Sequence, residues 1–200
     1  MKLGIYELLL DKLMRKFTKG WCIFVTIINF TIFNFILYSI IGYIIEEVYS
    51  YVITGSFKKK GFLKGPYKPM YGIAFTILVL LDTYYNFNIF IRLILYLIVP
   101  TGVEFISGYL LLKIFNEKYW DYSNLKYNYK GLITLRFSFY WMILCYLGIS
   151  YVQPFVNNFY ISLEKFFRVS NLIIALIMIM DFIYTITIKL NLKKSRLLNS

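Results

Sequence analysis

Histidine is absent from the 200-residue chain. That absence excludes a Ser-His-Asp or Cys-His nucleophile system, an HExxH zinc site and any proton relay run by imidazole. Cysteine is scarce. Cys22 and Cys145 lie inside apolar stretches without CxxC spacing, so both read as packing residues and say nothing of a redox compartment. No GxxxxGK(S/T) phosphate loop occurs, so coupling to nucleotide hydrolysis by that route would need another chain. Charge is thin as well, at 16% of residues, where an ordinary soluble domain carries about a quarter.

What fills the chain is hydrocarbon: 60% of residues are hydrophobic and 21% aromatic. Such a composition implies an all-α, polytopic transmembrane helix bundle inserted in a lipid bilayer. The net charge of +12 comes from 22 Lys+Arg against 10 Asp+Glu. Most of these cations flank apolar spans and none form a basic helix face interleaved with aromatics, so anionic headgroups are the counter-charge and nucleic acid is not.

Residues 1–20 read as an amphipathic interfacial helix, with Ile5, Leu8, Leu9, Lys12, Leu13 and Lys16 at helical spacing. They do not read as a signal peptide, because Glu7, Asp11 and Arg15 interrupt the apolar residues. Residues 21–190 form one transmembrane domain with about five spans, near 21–53, 70–86, 89–113, 132–153 and 170–189, and residues 191–200 form a basic tail. Positive-inside counting places the first loop (Lys58, Lys59, Lys60, Lys64, Lys68), the third (Lys113, Lys118, Lys126, Lys130, with Arg136 just beyond) and the tail in the cytoplasm. The N-terminus then lies outside, against the rule for its own lysines.

On the first span Ser39, Gly42, Glu46 and Tyr49/Ser50 form a small or polar stripe, and such a stripe faces protein rather than lipid. The third span repeats the pattern with Thr101, Glu104 and Ser107/Gly108 after Pro100, and the fifth offers Asp181 followed by Thr185. Read toward the same side, all three acids lie ~10 to 14 Å below that surface at about 1.5 Å per residue. Arg136, about one turn into the fourth span, is the expected counter-charge. Acids kept at matched depth point to an intramembrane polar site; a structural ion pair is the competing reading. No catalytic nucleophile, metal set or cofactor motif accompanies them.

Between the first two spans stands KKKGFLKGPYKPMYG, residues 58–72. Its lysines are ordinary topology signals, but Gly61, Gly65 and Gly72 with Pro66 and Pro69 specify a stiff backbone path that a plain connector does not need. The later YWDYSNLKYN has an interfacial reading, with Trp120 and Tyr122 as belt residues and Asp121 or Ser123 as turn formers. It also has a functional one, because both loops share the face above the acids.

YSIIGYIIEEVY, KGFLKGPYKPMYG, VEFISGYLLLKIFNEKYWDYS and NYKGLITLRFSFYW, in that order, resemble the CmpB-like membrane family of ABC-transporter type IV proteins over about residues 38–154, with DFIYT as a weaker echo. The family pattern falls on Gly42, Glu46, Gly61, Phe62, Leu63, Gly65, Pro66, Tyr67, Pro69, Tyr71 and Gly72. Further along it falls on Glu104, Trp120, Asp121, Tyr122, Ser123, Gly131 and Trp141. The chain departs from it at Tyr43, Lys60, Lys64, Tyr119 and Leu132, and loses a guanidinium at Lys60 and Leu132. Lysine offers only a point charge where arginine would grip an anion with two bonds.

The resemblance implies transport: a permease or permease-like subunit of the cytoplasmic membrane, partnered by a separate ATPase. Two other readings remain open on the residues themselves, a membrane-embedded enzyme acting on lipid or lipid-linked substrates and a non-catalytic assembly or regulatory subunit. Under any of the three readings the chain could form a homo-oligomer.

Overall fold

The computed structural model describes the backbone of residues 2–57 and 61–198 and the side chains of residues 24–57 and 61–195. In chain order the elements are α1 (Lys2–Thr54), α2 (Pro69–Tyr84), α3 (Ile89–Phe115), a hairpin of β1 (Asn128–Tyr129) and β2 (Ile133–Thr134), α4 (Leu135–Leu147), a π-helical turn (Gly148–Val152), α5 (Gln153–Ser162) and α6 (Glu164–Leu198). The chain is 79% helical, an all-α polytopic bundle. The side chains behind the amphipathic reading of residues 1–20, and lysines 58–60, lie outside the described residues.

Among the described residues, four helical stretches are long and apolar enough to cross a membrane: Phe24–Thr54, Ile89–Phe115, Leu135–Ser162 and Glu164–Ser195. The fifth expected span, α2, is shorter. Its 16 residues reach ~24 Å at about 1.5 Å per residue, short of a hydrocarbon core of about 30 Å. Pro69 starts it, where a missing N–H costs nothing, and extended backbone at Tyr85 ends it. Asn88 then caps α3 by accepting from the Ile91 N–H at 3.0 Å.

Residues 154–169, which hydropathy leaves between two spans, are largely helical. Pro154 cannot donate to the carbonyl four residues back, and the wider π turn at Gly148–Val152 falls where that bond would be missing. Gly148 lets the Phe75 ring approach, since a Cβ there would lie 2.6 Å from its Cε1.

The core sits where α1 and α2 pack together and meet α3 and α4. Tyr38, Phe75, Leu78, Tyr96, Trp141 and Cys145 are its buried centre. A second cluster, Ile36, Leu63, Tyr67 and Met178, joins the first loop to α1 and α6. Large apolar side chains elsewhere face outward, Ile94, Ile98, Ile106 and Leu172 among them, as lipid contact requires.

Amides bind the helices where hydrocarbon offers no water. Asn29 Oδ1 accepts from the Tyr160 hydroxyl at 2.9 Å and from Asn171 Nδ2 at 3.1 Å. Gln153 Nε2 donates to Asn34 Oδ1 at 3.0 Å, and the Tyr38 hydroxyl donates to Gln153. Such bonds hold transmembrane helices in register because an unmade one leaves a polar group in lipid. Amides inside apolar runs are the signal of these bonds in the sequence.

Candidate functional site

The first loop is held along its length. Lys68 N–H donates to the Ser39 carbonyl at 2.8 Å, which ties the loop to α1. Asp181 on α6 receives three donors at one oxygen: Gly65 N–H at 2.9 Å, Lys64 N–H at 3.1 Å and the Tyr67 hydroxyl at 2.7 Å. Its other oxygen accepts from Thr185 Oγ1 at 3.2 Å. Gly65 lies against the Tyr67 ring with no room for a Cβ, so the glycine and Pro66 beside it set the path by which the loop reaches Asp181.

Past the loop, α2 closes onto the small-residue stripe of α1. Tyr71 packs directly against Gly42, and a Cβ on Gly72 would lie 2.5 Å from the Phe35 carbonyl oxygen. The stripe of Ser39, Gly42 and Glu46 thus faces protein, as a polar stripe on an apolar cylinder must. Phe62 reaches across to Phe115, Tyr119 and Phe182, with ring centres 5.4, 6.0 and 6.2 Å away. The two specified loops therefore meet at one end of the bundle.

The second loop is a folded unit rather than a free connector. Asp121 Oδ1 accepts from Ser123 N–H at 3.0 Å and from the Ser123 hydroxyl, while Lys118 Nζ stands 2.9 Å from Oδ2. The Ser123 hydroxyl first, then Lys118, hold the Asp121 carboxyl down at about 2. Tyr122 N–H donates to the Gly131 carbonyl at 2.8 Å, and Gly131 itself turns at φ +69°, where a side chain would strike Asp121 and Ser123. Trp120 Nε1 donates to the Leu132 carbonyl at 2.8 Å, and its ring lies over Gly108 of α3, 2.9 Å from where a Cβ would stand.

This loop delivers Tyr122 to the buried acid. The Tyr122 hydroxyl donates to Glu104 Oε1 at 2.8 Å, and Trp141 Nε1 of α4 donates to Oε2 at 3.1 Å. Glu104 is only 3% exposed, so those two neutral donors replace the water it has lost. Burial, then the neighbouring Glu104 charge, raises the Tyr122 hydroxyl well above the ordinary tyrosine range, so it stays a donor.

The three acids do not share one site. Glu46 and Glu104 line a cavity of about 440 Å³ with Met70, Tyr71, Trp120 and Trp141. Asp181 does not line it; it is the anchor of the first loop. Among the described residues Arg136 joins no carboxylate: its Nε donates to the Tyr140 hydroxyl at 3.0 Å. The cause is rotational, since Arg136 lies on the exposed side of α4 while Ser138 and Trp141 take the buried side. The counter-charge expected of Arg136 is supplied to Glu46 by Lys68, 2.7 Å away. In the sequence Lys68 stands among the topology lysines of the first loop, and no local signal marks it apart from them.

A second cavity, of about 380 Å³, adjoins the first between α2, α3 and α6. Glu46, Met70 and Trp120 belong to the walls of both. Among the described residues no group of three or more His, Cys, Asp or Glu is placed to hold a metal ion.

A family model described as "Putative ABC-transporter type IV" matches residues 33–186, a stretch that contains both loops, both cavities and all three acids. No solved structure matches the chain.

Proposed function

We propose that this chain, which belongs to the ABC-transporter type IV family, is a permease-like subunit of the cytoplasmic membrane that works with a separate ATPase, and that Glu104 and Glu46 line the polar part of its pathway. The chain is a multi-pass membrane protein of a transport-associated family. The finer reading rests on one observation above the rest. Glu104, in the middle of a membrane-crossing helix, is bonded on both oxygens by neutral donors, one of which arrives from the loop at the end of the bundle. An ionisable group at that depth is costly to insert, so it is retained for a task. Its link to Tyr122 connects the cavity to a rigid surface unit, and a partner binding that unit would act on the acid through a single hydrogen bond.

The test is purification from native membranes in a mild uncharged detergent, with nucleotide hydrolysis measured on the material. An ATPase should co-purify, and Glu104→Gln, which keeps the side-chain shape but not the charge, should alter its turnover without releasing it. Purification without any ATPase, in each of several detergents, overturns the subunit reading.

A further inference from the structure

The cavity beside Glu104 is walled by rings. Tyr49, Tyr71, Trp120, Tyr122, Tyr140 and Trp141 all line it, with Phe137 among them. Phe137 stacks on Tyr122 at 4.7 Å and meets Tyr140 and Tyr49 edge to face at 5.5 and 6.2 Å, while Tyr71 packs on Trp141 at 4.5 Å. Within this box Glu104 has neutral donors on both oxygens and no described cation paired with it, whereas the Glu46 charge is met by Lys68.

A desolvated carboxylate surrounded by π faces selects a particular kind of cation. Alkali and alkaline-earth ions take six or so hard oxygen ligands, whereas this wall is mostly apolar and its two carboxylates are already engaged, Glu46 by Lys68 and Glu104 by Tyr122 and Trp141. An alkylammonium group, large and weakly hydrated, is attracted by ring faces and by the carboxylate together.

The adjoining cavity says what the ammonium is attached to. Its wall is Ile73, Leu110, Leu111, Ile114, Phe182 and Ile186 with few polar atoms, and it meets the ring-lined cavity across Glu46, Met70 and Trp120. Glu46 and Lys68 line it together as an ion pair and offset each other, so Glu104, with no described cation paired to it, draws the ammonium head to the ring-lined side. We propose that the two cavities together take one amphipathic cation, with its ammonium head among the rings at Glu104 and its alkyl tail in the space between α2, α3 and α6: a lipid or lipid-like amine. The proposal rests on the reading of the ring-lined cavity as the ligand site, and does not depend on the ATPase.

The experiment uses the full chain carrying Trp21→Phe in an uncharged detergent, so that Trp120 and Trp141, both in the wall, report by fluorescence. Octyltrimethylammonium should half-saturate the signal at a concentration at least tenfold below tetramethylammonium, and octyl sulfate should give no saturable change. Glu104→Gln should weaken both ammonium ligands at least tenfold. Tyr140→Leu should weaken both as well, and serves if the Glu104 variant fails to fold. Ser107→Phe, which fills the tail cavity from α3, should cut the octyl advantage to under threefold while leaving tetramethylammonium unchanged. Equal half-saturation by the two ammonium ligands overturns the lipid assignment in favour of a small free cation. Octyl sulfate binding as tightly as octyltrimethylammonium, or no saturable response to either ammonium, overturns cation recognition. If the binding holds and no ATPase co-purifies, the permease reading alone is lost.

Discussion

Lys68 Nζ stands 2.7 Å from Glu46 Oε2, so a lysine of the surface loop closes an ion pair with a carboxylate of the first membrane span. Both side chains are largely withdrawn from solvent, at 15% and 18% exposure. The pair fastens the start of α2 to α1, and both partners line the second cavity while Glu46 also lines the first.

Removing Glu46 takes the carboxylate from Lys68 in a poorly solvated place, and removing Lys68 takes from Glu46 the cation 2.7 Å away. Lys68→Met and Glu46→Gln should each lower Tm in detergent, and the double variant should regain part of the loss, with a coupling of roughly 1–3 kcal/mol. Strictly additive losses would show that the pair contributes nothing together.

Glu104 and Arg136 should behave in the opposite way. Because Arg136 bonds to Tyr140 and not to the acid, the effects of Glu104→Gln and Arg136→Gln on stability should add to within about 0.5 kcal/mol. Mutual rescue would restore Arg136 as the counter-ion of Glu104.

Asp181→Ala should loosen the first loop specifically. The substitution leaves Lys64 N–H, Gly65 N–H and the Tyr67 hydroxyl without their acceptor, at about 1–3 kcal/mol for each donor that stays buried. Hydrogen exchange at Lys64 and Gly65 should quicken at least tenfold, while the α3 and α4 amides keep their protection. Unchanged exchange in the loop would mean that Asp181 is not its anchor.

The second loop carries a pH signature. The Asp121 carboxyl is held below its ordinary value of 3.8, at about 2, so its contribution to loop order is complete above pH 4 and is lost as pH falls through 2. Exchange protection of residues 118–130, corrected for intrinsic rate, should therefore be the same at pH 7 and pH 5 in the wild type. Asp121→Asn, which cannot hold Lys118 by charge, should reduce it at both. A drop in wild-type protection between pH 7 and pH 5 would assign the loop's order to another group.

Both specified loops lie at one end of the bundle, through Phe62 and Tyr119. Single cysteines at Ser56 and Asn124, in a background without Cys22 and Cys145, should therefore be labelled from the same side of the membrane, the cytoplasmic one. Labelling from opposite sides would refute the arrangement.

The helical class and the family were legible in the residues, because each rests on local quantities: hydropathy over a helix length, the spacing of small residues and a motif read in order. The path of the first loop is constrained in the same local way, since Pro66 fixes its own φ and restricts Gly65 before it wherever the pair occurs. Depth in the membrane is another such quantity, and it ranked Glu46, Glu104 and Asp181 together. Direction is not. Which way a carboxylate points depends on the rotation of its helix and on what its neighbours bring, and those follow from contacts between residues 18 to 117 positions apart. Only the tertiary structure could send Asp181 to the backbone of Lys64 and Gly65, turn Arg136 outward to Tyr140, bring Lys68 down to Glu46, and leave Glu104 among rings contributed by α1, α2, α4 and the loop after α3.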